Sequence, residues 1–164
     1  MTKKIKPKNI IFDIGGVLFN YPPDIRVLLA ANKTDDIFWP IEHGIKLLRQ
    51  CHQKLDQTGK KAHNLYVLSN WKTDSFALLT QKFPDIFNLF DGIVISGNVN
   101  NIQKPDPALY HHLIEVHALD VLECVFIDDK EENVIAAQTL GMHGIICSDF
   151  GHVERQLMLL GVIE

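Results

Sequence analysis

Apolar residues in this chain gather in short, nearly unbroken runs, and the stretches between them change to a helical spacing. The runs are Ile10 to Phe12, Asn64 to Leu68, Gly92 to Ile95, Cys124 to Ile127 and Gly144 to Cys147. Continuous apolarity over so few residues is expected of strands covered on both faces. Amphipathic spacing over Ile41 to Leu55, Asp74 to Phe83, Pro107 to His117, Glu131 to Leu140 and Val153 to Leu160 predicts the intervening helices. Boundary chemistry agrees with that division. Asp106-Pro107 reads as a cap followed by a first-turn proline. Asp129 stands just ahead of Glu131 and Glu132, acids that suit a helix start, and Gly141 follows Leu140 as a terminator.

Strands alternating with helices imply βαβ crossovers and a mostly parallel sheet, so the expected fold is a single Rossmann-like, three-layer α/β domain. Residues 20–39 break the rhythm. This stretch and its border hold Pro22, Pro23, Pro40, the acidic pair Asp35-Asp36 and one helical patch around Ile25 to Ala31. It reads as an excursion over the strand tips, too short for a domain of its own; a plain surface loop is the alternative.

Composition narrows the function classes. The chain has 164 residues, 46% hydrophobic and 22% charged, as in a soluble globular domain. A net charge of −4 argues against a nucleic-acid surface held by general electrostatics, but leaves local binding of a small anion open. No apolar run reaches membrane-spanning length, and the one after the lysine-rich start is too short for a signal-peptide core. Three scattered cysteines, Cys51, Cys124 and Cys147, suggest reduced thiols and a cytoplasmic location.

The candidate chemistry lies at four strand ends. Asp13 closes the first strand and faces Gly15-Gly16, where the backbone can approach a ligand closely. Ser69 and Asn70 follow the second strand, Lys104 lies in the loop after the third, and Asp128-Asp129 follow the fourth. In a parallel sheet these ends share one edge. Three carboxylates there repel one another and invite a hard cation with oxygen ligands, Mg²⁺ above all. Lysine and a serine hydroxyl suit a phosphoryl group beside such a metal.

Phe12-Asp13-Ile14-Gly15-Gly16-Val17-Leu18, Leu68-Ser69-Asn70, Lys104-Pro105-Asp106-Pro107 and Phe126-Ile127-Asp128-Asp129 resemble, in order and spacing, the four motifs of the haloacid dehalogenase (HAD)-like hydrolase superfamily. Glu132-Asn133-Val134 and Gly141-Met142-His143-Gly144 are similar to its sugar-phosphatase branch. The resemblance implies a nucleophile at Asp13 that forms an aspartyl-phosphate. It implies that Ser69 and the Asn70 amide hold phosphoryl oxygens while Lys104 neutralises charge on Asp13 and the transferring group. Asp13, Asp128, Asp129 and the Gly15 carbonyl would hold Mg²⁺. Asn133 reads first as an ordinary helix-surface asparagine, with orientation of the acidic loop as the alternative that the resemblance implies.

Two departures from the family pattern shape the expectation. Phosphatases of this family usually carry a second aspartate two places after the nucleophile, and here that place is Gly15. Loss of a positioned acid–base group removes about 10²–10⁴-fold in rate. Three readings follow: a slow or specialised phosphatase, a 2-haloacid dehalogenase, or a weakly active module that recognises phosphate on a partner. Second, the short interval between Asp13 and Ser69 leaves only residues 20–39 for a cap, so the cap is vestigial or missing. An open site suits a small or macromolecular phosphorylated substrate, or completion by a second subunit. Among other tempting residues, His111 and His112 read as surface or packing positions, and His52 and His63 as solvated. Trp71, two places after Ser69, is a better functional candidate than Trp39. Asp24 and Arg26 read as a solvated helix face, with contact to substrate from the shortened cap as the alternative.

Overall fold

A computed structural model of the chain describes residues 6–31 and 37–164. The expected strands are present as β1 (Asn9–Phe12), β4 (Asn64–Ser69), β5 (Gly92–Ile95), β6 (Cys124–Asp128) and β7 (His143–Ile146). They form one five-stranded parallel sheet in the order β5-β4-β1-β6-β7. Two further strands, β2 (Phe19–Asn20) and β3 (Trp39–Pro40), pair antiparallel as a small hairpin beyond the end of β1. The six-residue helix α1 (Ile25–Ala30) lies between them. The acidic pair Asp35-Asp36 falls outside the described residues.

Helices cover both faces of the sheet because the strands alternate two apolar sets. Ile10 and Phe12 face one way, into a core shared with α2 (Glu42–Gln53), α3 (Thr73–Lys82), α4 (Pro84–Phe87) and α7 (Phe150–Leu159). Ile11 faces the other way, with Leu68 and Phe126, onto α5 (Pro107–His117) and α6 (Glu131–Thr139). This is the expected three-layer, Rossmann-like α/β architecture. Burying side chains such as Phe12, Phe126 and Tyr110 contributes roughly 1.5–3 kcal/mol each.

Boundary signals performed unevenly. Asp106 accepts from the Ala108 amide at 2.9 Å, as its place before Pro107 predicts. Gly141 takes φ +102° just after Leu140, the left-handed turn expected of a helix stop. Helix α7 starts earlier than the apolar spacing predicts, because Asp149 caps it by accepting from His152 N at 2.7 Å. The helix α4 and the β2–β3 hairpin carry no periodic signal long enough to read.

Strand order reverses beside β1: the chain builds outward through β4 and β5, then returns to place β6 against the free side of β1. Such a switch point leaves a crevice at the carboxyl ends of the strands. Asp13 and Asp128 end the two strands that border it.

Candidate active site

Asp13 is fixed from several directions. Its amide continues the sheet by donating to Ile127 O at 2.9 Å. Its Oδ1 accepts from Ser69 Oγ at 2.7 Å and lies 3.0 Å from Lys104 Nζ, so two donors set the plane of the carboxylate. Past Asp13 the chain folds back at once, with the amides of Leu18 and Phe19 both donating to Ile14 O. Gly16 makes this turn possible. Its φ is +73°, and a Cβ there would sit 2.5 Å from Asp129 Oδ2. Glycine thus lets the acidic loop after β6 close over the loop after β1.

Lys104 is almost wholly buried and is held as a bridge. Its Nζ lies 2.6 Å from Asp128 Oδ2 and donates to Leu68 O at 2.8 Å, besides its contact with Asp13. The Asn70 side chain positions this lysine's loop. Asn70 Oδ1 accepts from Lys104 N at 2.7 Å, and Asn70 Nδ2 donates to Lys104 O at 2.9 Å. Asp128 is held from its other side by Asn133 Nδ2, 3.1 Å from both carboxylate oxygens, and by the Lys130 amide at 2.9 Å. Asn133 is itself anchored where its carbonyl accepts from Tyr110 OH at 2.8 Å.

Electrostatics explain what this crowding can hold. Carboxylate oxygens of Asp13, Asp128 and Asp129 lie within 4.8 Å of one another. Burial, then the Asp13 charge, pushes the Asp128 carboxyl up to about 6, against the pull of Lys104. Asp129 is raised for the same two reasons, burial first. One ammonium bridging two acids leaves the cluster short of positive charge, and all its donors are oxygens, so the residues fit a hard divalent cation such as Mg²⁺.

The cleft around these groups measures about 210 Å³ and is also lined by Gly15, Asn20, Tyr21, Trp71 and Lys130. That is ample for a phosphoryl group and smaller than the usual pocket that encloses a whole small-molecule ligand. A second slot of about 170 Å³ shares Tyr21, Asn70 and Trp71 with it and continues over Ile25, Arg26 and Leu29. Tyr21 packs edge-on against Trp71, with ring centroids 5.1 Å apart at 79°. Its phenol is raised by burial and then by Asp13.

Every residue singled out for the site, namely Asp13, Gly15, Ser69, Asn70, Lys104, Asp128 and Asp129, lines the cleft or, for Asp128, stands directly behind it. Two expectations need correction. Asn133 is no surface asparagine; it is 2% exposed and bound to Asp128. His63 is not solvated: its ring nitrogens face Pro7 O at 3.0 Å and Val162 O at 3.1 Å, far along the chain. Arg26 is exposed on α1 as expected, yet it lines the second slot. Tyr21 was missed, and only its nearness to Gly15 in sequence hinted at it. Trp39 is half exposed, whereas Trp71 is buried with no hydrogen-bond partner for Nε1 among the described residues. Cys51, Cys124 and Cys147 are free thiols, all buried. Among the described residues no helix is long and apolar enough to cross a membrane.

Comparison with known proteins agrees with this fold. A sesquiterpene phosphatase of Aspergillus oryzae is 36% identical over 87% of this chain and 90% of its own length. A drimenol cyclase of Aspergillus calidoustus is 34% identical over 64% of this chain, which there spans only 20% of the longer protein. Among solved structures, a HAD family enzyme of Bacteroides thetaiotaomicron, in complex with magnesium and inorganic phosphate, superposes with a TM-score of 0.69 at 18% identity. That match covers 90% of this chain and 98% of the other, and at such low identity it speaks for the fold alone. Residues 46–141, which contain Ser69, Lys104 and the Asp128-Asp129 pair, match the family described as haloacid dehalogenase-like hydrolase, and the chain therefore belongs to that family of hydrolases.

Proposed function

We propose that this chain hydrolyses phosphomonoesters through an aspartyl-phosphate on Asp13. The observation that carries the reading is the grip on that carboxylate. Ser69 and Lys104 hold one of its oxygens while Asp128 and Asp129 crowd beside it. Held in one plane, Asp13 can present an oxygen to phosphorus without first reorienting. Lys104 sits where it can offset charge on the nucleophile and on the transferring group. Ser69 and Asn70 line the cleft, and Ser69 Oγ with the Asn70 amide would hold the phosphoryl oxygens. Asp13, Asp128, Asp129 and the Gly15 carbonyl would hold Mg²⁺, which when bound supplies charge neutralisation at the phosphoryl oxygens. Asn133, Asn70 and Tyr110 keep those groups in place.

The substrate class we favour is the monophosphate of an apolar alcohol. Ile25, Leu29, Trp71 and the Tyr21 ring give the second slot a hydrocarbon wall beside the phosphoryl cleft, among the polar neighbours Arg26, Asn70, Lys72, Ser75 and Gln103. The similarity to a protein named as a sesquiterpene phosphatase points the same way. A larger phosphorylated partner, or a second copy of the chain, would cover the same open side, and solution mass measurement with and without substrate separates these arrangements.

Phosphate release from a panel of phosphomonoesters, with Mg²⁺ and with chelator, tests the reading. Turnover should require the metal, favour apolar alcohols and vanish in Asp13→Asn. Failure on every ester would favour a module that only recognises phosphate. Halide release from a 2-haloacid without metal would favour a dehalogenase.

A further inference from the structure

Gly15 leaves a space beside Asp13, and that space is already filled. A Cβ built on Gly15 would lie 2.9 Å from Tyr21 Cε1 and 3.1 Å from Tyr21 Oη. The phenol hydroxyl therefore stands about where the head of a side chain at position 15 would reach. Local structure delivers it there. The turn closed on Ile14 O leads into β2, whose pairing with β3 fixes Asn20 against Trp39, and Tyr21 follows directly. The ring is then steadied edge-on by Trp71. Tyr21 lines both the phosphoryl cleft and the second slot, so it stands on the border between the two.

We infer that Tyr21 is a catalytic residue, the proton donor to the departing alcohol in place of a carboxylic acid that Gly15 cannot supply. The inference rests on the phosphatase reading above and adds a residue to it. In the first half-reaction an Asp13 oxygen bonds to phosphorus as the ester P–O bond breaks. The bonding pair leaves with the alcohol oxygen, which takes the Tyr21 hydroxyl proton. In the second, water adds to phosphorus and gives one proton to the Tyr21 phenolate. The P–O bond to Asp13 breaks, and carboxylate, phenol and inorganic phosphate are restored. A donor of this kind matters most when the leaving oxygen is strongly basic and least when it is stable as an anion.

Tyr21→Phe tests this, because it keeps the ring against Trp71 and removes only the hydroxyl. The probes are 4-nitrophenyl phosphate, phenyl phosphate and a primary alkyl phosphate, assayed with wild type, Tyr21→Phe and Asp13→Asn. The wild-type to variant ratio of kcat/KM should stay near one for the nitrophenyl ester. It should climb to about 10²–10⁴ for the alkyl ester. An equal ratio for all three esters overturns the assignment and leaves Tyr21 a shape-giving residue. So does a variant as fast as wild type on the alkyl ester. Absence of Asp13-dependent release from all three by wild type overturns the phosphatase reading itself, and is thereby distinguished. Circular dichroism and thermal melting of Tyr21→Phe confirm that the comparison is between folded proteins.

Discussion

Replacing Lys104 with methionine should leave a folded but weakened protein whose deficit depends on metal and pH. The lysine side chain is 1% exposed, and its ammonium contacts Asp13 at 3.0 Å, Asp128 at 2.6 Å and Leu68 O at 2.8 Å. Methionine fills a similar volume but donates nothing, so a fully buried Asp128 and a nearly buried Asp13 lose their shared cation. Breaking a buried pair from one side costs roughly 3–5 kcal/mol, because the surviving charge stays desolvated. For a domain of this size each kcal/mol moves Tm by roughly 2–4 °C, so the variant should melt roughly 6–20 °C lower in chelator. Mg²⁺ should return part of that loss. Binding at about 100 times Kd contributes about 2.7 kcal/mol, and the variant's cluster is the more negative of the two. The pH dependence has a definite sign. Asp128 already titrates above its unfolded value, and Lys104 is what restrains the rise. Without it the folded state binds a proton that the unfolded chain releases. The deficit should then be largest near pH 8 and shrink as pH falls toward 5. Thermal and urea denaturation across that range, with chelator and with Mg²⁺, reads all three effects. A deficit below about 1 kcal/mol in chelator at pH 8, or one that grows on acidification, would refute the charge argument.

Asn133→Ala removes both side-chain bonds to Asp128 and should weaken Mg²⁺ binding by about 10–100-fold, as expected for a residue that orients a ligand. Calorimetric titration with Mg²⁺ checks this, and unchanged affinity would show that Asp128 holds its place alone. His63 supplies a separate pH effect remote from the site. Burial holds its imidazole below the ordinary histidine value, so on acidification the unfolded chain takes a proton before the folded one does. That contribution to stability is present above about pH 6.5 and is lost as pH falls through the folded value. His63→Gln should flatten this part of the curve of Tm against pH, and parallel curves for the two proteins would contradict it.

How far the site could be read from sequence depends on whether a residue's partner is local. Asp13, Ser69 and Asp128 stand at or just beyond strand ends, which a parallel sheet brings to one edge, whereas Lys104 lies well past β5 in a loop that the Asn70 side chain ties to that edge. Continuous apolar runs therefore indicated which of these side chains would come together, along with the fold. Asn133 was legible only as an alternative, because its partners, Asp128 and Tyr110, come from a strand end and another helix, while its own neighbours Glu131 and Glu132 suggest a solvated face. His63 escaped for the same reason, since the carbonyls it meets belong to Pro7 and Val162. The side chain of Asn70 was legible as a position but not as a tie to the Lys104 loop. Tyr21 is the sharpest instance. In sequence Gly15 is a missing acid, and nothing in residues 20–39 has a period that places a side chain beside it. In space the turn after Asp13 and the two residues of β2 bring the chain back just far enough to set a hydroxyl against that glycine. The glycine is then the condition for the tyrosine, because any side chain at position 15 would contest the same volume. A loss read from one residue is, at the level of packing, an exchange between two.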